Sequence, residues 1–74
     1  MTTQQAARQY VLDLIEWEDV NGYSTADLVR QCFNCRQATI DPSGDVFVGD
    51  PQAGHWLDDA KLEEFVEWHK SQVS

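Results

Sequence analysis

Apolar positions recur at helical spacing in three stretches of the chain, with a short β-type segment before the last. Ala7, Tyr10, Val11, Leu14 and Ile15 form one stripe, which predicts a helix from Thr3 to Asn21. Asn21-Gly22 closes it, because glycine accepts the left-handed backbone common just past a helix end. A second helix is predicted from Thr25 to Arg36, with Leu28, Val29, Cys32, Phe33 and Arg36 at helical spacing. Ser24 is placed to cap it, Asp27 to complete a capping box, and Tyr23 and Leu28 to form a hydrophobic staple.

Ala38-Thr39-Ile40 and Asp45-Val46-Phe47-Val48-Gly49 read as the two strands of a hairpin. The turn between them is Asp41-Pro42-Ser43-Gly44, where proline sets the second position and glycine closes the fourth. Two strands alone are marginal, so the hairpin must lie on the helices. Residues 50–55 read as a Pro/Gly-containing loop. Trp56 and Leu57 are expected to pack just before a last helix from Asp58 to Gln72, with Asp58 as its N-cap. Leu62, Phe65, Val66, His69 and Val73 form its inward stripe, and Asp59, Glu63 and Glu67 lie outward at i, i+4, i+8. The expected fold is therefore α+β: one small domain over residues 1–74, in the order helix, helix, β-hairpin, helix. Helix–helix–wing order resembles a winged helix-turn-helix in outline, but the missing third helix tells against a DNA reader.

Charge adds the second argument against one. Thirteen Asp and Glu against five Lys and Arg give a formal net charge of −8 over 74 residues. Direct nucleic-acid binding and a polybasic membrane-surface role both need the opposite sign. No stretch approaches the roughly 18 apolar residues of a membrane span. The first residues lack the basic start and apolar run of a secretory signal, so the expected compartment is the cytoplasm. Hydrophobic content of 42% and aromatic content of 11% argue for a folded chain over a disordered acidic tail. A core of this size supplies only about 3–5 kcal/mol. A partner, or a second copy in a homodimer, would add to that by mass action.

Candidate chemistry is sparse. Cys32-Phe33-Asn34-Cys35 is a C-x-x-C, but His55 and His69 do not follow at zinc-finger spacing. The pair closes a helix, whereas a thioredoxin-type motif opens one. Small core thiols are the simpler reading, with a metal or redox module through Cys32 and Cys35 as the competing one. His69 falls in an apolar stripe and reads as a core-edge histidine. His55 reads as a loop residue, and no nucleophile elbow accompanies either histidine. Gly44, Gly49 and Gly54 make no phosphate loop, and Asp41, Ser43 and Asp45 fit turn chemistry better than a calcium loop. The expectation is a non-enzyme with no cofactor and no bound metal.

The acidic surface is the feature furthest from ordinary composition. Asp13, Glu16, Glu18 and Asp19 lie on the first helix, the last three in its final turn, where the dipole disfavours anions. Asp58, Asp59, Glu63, Glu64 and Glu67 lie on the last helix. Carboxylates four apart stand about 5–6 Å from one another, near the spacing of successive phosphates. Such a row can face a groove built for a nucleic-acid backbone, or it can simply keep a small domain soluble. Trp17, between Glu16 and Glu18, and Trp68, between Glu67 and His69, lie off the apolar stripes and are either interface anchors or core.

No family is recognised. In size and charge the chain is similar to small acidic inhibitors of nucleic-acid enzymes, such as phage anti-restriction and anti-CRISPR proteins and nuclease immunity proteins. The leading expectation is an acidic module that binds a basic, nucleic-acid-binding protein through Asp13, Glu16, Glu18, Asp19, Asp59, Glu63, Glu64, Glu67, Trp17 and Trp68. The competing expectation is a structural or assembly protein that binds through exposed tryptophans and apolar patches.

Overall fold

A computed structural model describes residues 3–73. Three helices, α1 (Thr3–Asn21), α2 (Thr25–Phe33) and α3 (Asp59–Val73), pack with three short strands, β1 (Ala38–Ile40), β2 (Val46–Val48) and β3 (His55–Trp56). The strands form one antiparallel sheet in the order β1-β2-β3. The α+β class and the sequence of helices stand, but the sheet has a third strand that the hairpin reading lacked. Residues 50–54 are a tight turn: Asp50 Oδ1 accepts from the Gln52 amide at 2.9 Å, and the Asp50 carbonyl accepts from Ala53 and Gly54. The chain then runs back along β2, pairing Phe47 with Trp56 and Val48 with His55. A two-residue strand carries too little period-two pattern to be read from sequence.

α1 spans the predicted residues, and its stripe supplies Ala7, Val11 and Leu14 to the core. α2 ends three residues early. Asn34 takes the left-handed conformation (φ 53°), and the Arg30 carbonyl accepts from the Asn34 and Cys35 amides. Arg36 is therefore exposed beyond the helix. Val29, Val46, Val48, Leu57, Leu62, Phe65 and Val66 complete the core. Val46 and Val48 point inward and Phe47 outward, as strand alternation requires. The side chain of Val73 lies outside the described residues.

The predicted cap of α3 is in place, with Asp58 Oδ1 accepting from the Lys61 amide at 2.8 Å. The predicted capping box of α2 is not. Ser24 makes no side-chain cap bond, and Asp27 instead pairs with Arg30 one turn on. Glu18 of α1 takes over the cap from outside, its Oε2 accepting from the Thr25 amide at 2.9 Å. This explains one of the acids crowding the end of α1, because an anion disfavoured at one helix C-terminus is favoured at the N-terminus of the next. Glu18→Ala should cost about 1 kcal/mol, in the range of lost N-caps. Glu18→Gln, which keeps an acceptor, should recover most of it. Urea unfolding midpoints of the two variants would check this.

Candidate functional site

Most of the thirteen acids have a local partner. Asp41 is bound by the Ser43 amide and hydroxyl, and that hydroxyl also reaches Asp45, so these three residues knit the first hairpin turn. The bonds from Ser43 hold the Asp41 carboxyl below its ordinary range. Asp50 and Asp58 cap backbone amides, and Glu18 caps α2. Arg8 donates to Asp45 at 2.7 Å and lies 3.9 Å from Asp59. Asp27 pairs with Arg30, Glu64 with Lys61 at 3.3 Å, and Glu67 with Lys70 at 3.9 Å.

The acidic row expected on α3 is thus interleaved with cations. Asp59, Glu64 and Glu67 each face a basic side chain, and Glu63 lines a cleft of about 210 Å³ with Ala6, Tyr10, Val66 and Lys70. Such exposed pairs add little stability, roughly 0–1 kcal/mol each, but they blunt the field that a phosphate-like row would present. Trp68 is half-buried against the core and stacked on Phe65, with ring centroids 6.1 Å apart.

The outer face of α1 is different. Asp13, Glu16, Trp17 and Val20 stand at i, i+3, i+4, i+7 and are all exposed, opposite the stripe of Ala7, Val11 and Leu14. Trp17 is 55% exposed and Val20 75%. Among the described residues no cation pairs with Asp13, Glu16 or Asp19; Asp13 only accepts from Gln9, at 2.9 Å. Two large apolar side chains therefore sit in water beside carboxylates that no described side chain neutralises. Asp19 lies nearer the α1–α2 junction, lining a cleft with Glu18, Tyr23 and Asp27. The sequence reading missed Val20. Its signal was present: a β-branched apolar residue three positions after Trp17, off the core stripe.

The cysteines are both free thiols and half-buried. Burial pushes the Cys32 thiol up, and the charge of Glu64 adds to it, which disfavours the thiolate that metal binding and redox exchange require. Among the described residues no three His, Cys, Asp or Glu side chains are placed to share a metal ion. Among them also no helix is long and apolar enough to cross a membrane.

His69 is buried, its Nδ1 2.7 Å from the Tyr10 hydroxyl, with the rings of Tyr10, Tyr23 and Phe65 around it. The hydrogen bond between the Tyr10 hydroxyl and the His69 ring ties α1 to α3. Burial lowers the His69 pKa below its ordinary 6.5. The unfolded chain therefore takes up the proton first. Stability should be full above about pH 6.5 and should fall as the pH drops from there toward the folded-state value. Urea midpoints on either side of that pH would show the slope, and His69→Phe should flatten it.

No family model, curated protein or solved structure matches this chain.

Proposed function

We propose that this chain is a non-enzymatic protein-binding module that lays the outer face of α1 into a groove of a basic partner. Trp17 and Val20 would fill the apolar floor of that groove, and Asp13 and Glu16 would meet its basic rim, in the manner of helix-in-groove recognition. The observation that supports this reading is the coincidence on one helix face of two exposed apolar side chains with carboxylates that pair with no cation among the described residues. A solubilising surface needs the acids but gains nothing from an exposed tryptophan. The sharper form is that the groove is the partner's nucleic-acid site, with Asp13 and Glu16 standing where phosphates would.

The partner, captured from host lysate and purified, gives the test. Charge reversal in Asp13→Lys/Glu16→Lys should weaken binding and flatten its salt dependence, because the acids steer association across a basic rim. Unchanged affinity would sink the α1 reading. A duplex or single-stranded oligonucleotide should compete with the module for the partner. Simultaneous binding of both would remove the nucleic-acid-groove form. Capture of the chain by itself alone would favour an assembly protein instead.

A further inference from the structure

We propose that the cleft between the end of α2, the β2–β3 turn and the start of α3 binds a small apolar carboxylate such as a medium-chain fatty acid. The cleft is open to solvent and holds about 410 Å³, within the roughly 300–1,000 Å³ of small-ligand sites. Its floor is apolar, made by the core residues Val48 and Leu57 with Phe33 beside them. Its polar side chains are the Cys35 thiol, the His55 ring and the Lys61 ammonium, and among the described residues no carboxylate lines it. The clefts at the α1–α2 junction and between α1 and α3 are lined by acids, and the cleft beside Arg8, which also lacks them, has Leu12 as its one apolar side chain.

The fold builds these walls. Register pairing with Val48 puts His55 on the same side of the sheet as the floor. The β2–β3 turn is held tightly: Gly49 adopts φ +98°, and a side chain at Gly54 would run into the Val48 carbonyl and the Phe47 ring. The first turn of α3 sets Lys61, whose amide is capped by Asp58. The ammonium lies 3.3 Å from Glu64 and stays half-exposed. With three donors, it can serve Glu64 and a ligand carboxylate together. An apolar tail would cover Val48, Leu57 and Phe33, while the head group lies between Lys61 and His55. The cleft shares no residue with the outer face of α1.

Octanoate and octanol, titrated into the full chain and followed by amide chemical shifts, test this. Octanoate should saturate one site, with shifts confined to residues 33, 35, 48–49, 53–57 and 61. Octanol should bind about two- to fivefold more weakly, the range of an exposed ion pair. Lys61→Gln should weaken octanoate by the same factor and leave octanol unchanged. Ala53→Trp, at an exposed position on the cleft wall, should lower affinity for both at least about tenfold by filling the space. The same spectrum reports whether that variant is folded, and Lys61→Gln decides if it is not. Shifts that do not saturate, that spread over the whole chain, or that ignore Lys61→Gln would overturn the site.

Discussion

Phe65→Ala is expected to unfold the chain at room temperature. Phe65 is fully buried at the centre of α3, stacked on Trp68 and beside His69. Truncating a buried phenylalanine costs about 3–5 kcal/mol through lost transfer energy and the cavity left behind. A single core of this size supplies roughly that amount in total. In a larger domain the same change would shift a melting temperature; here it consumes the whole margin. Circular dichroism of the variant should lack a cooperative thermal transition. A variant that still melts cooperatively, only a few degrees lower, would mean that stability comes from elsewhere, such as a dimer interface covering the exposed tryptophans.

Trp17→Ala is expected to do the reverse: leave the fold intact and remove partner binding. The side chain is 55% exposed on the outer face of α1 and contributes nothing to the core. Surface truncations of this kind change stability by no more than about 0.5 kcal/mol. If Trp17 anchors an interface, its loss should cost at least about 2 kcal/mol, or roughly thirtyfold in Kd. The paired measurement matters. Affinity of the purified complex should drop while the urea midpoint holds. Trp56→Ala, equally exposed but on the outer face of the sheet against Phe47, should leave the affinity unchanged.

Much of the fold was legible because apolar residues in α1 and α3 recur at the spacing of one buried face. The stripes of Ala7, Val11 and Leu14 and of Leu62, Phe65 and Val66 point inward as their spacing requires. Capping at the start of α2 was not legible, because Ser24 and Asp27 satisfy the local pattern while the Thr25 amide is taken by Glu18, seven residues upstream. Strand β3 escaped for a related reason. Its two residues are positioned by pairing with β2 and by the Asp50 turn, neither of which leaves a local period.

The acidic surface was visible as composition but not as geometry. Sequence gives the number of carboxylates; only packing tells which of them spend their charge on Arg8, Lys61, Lys70 or a backbone amide. That sorting moves the candidate site from two helices to one face of α1. It sets aside Trp68, which packs on Phe65, and brings in Val20, which charge counting could not find. Thr25 is fully buried, and its hydroxyl has no hydrogen-bond partner among the described residues.

The most direct test of the α1 reading is hydroxyl-radical footprinting of the purified partner complex against the free chain. Oxidation of Trp17 and Val20 should fall sharply on binding while Trp56 stays reactive. Protection of Trp56 with Trp17 still reactive would place the interface on the sheet and contradict the assignment of α1 as the binding face.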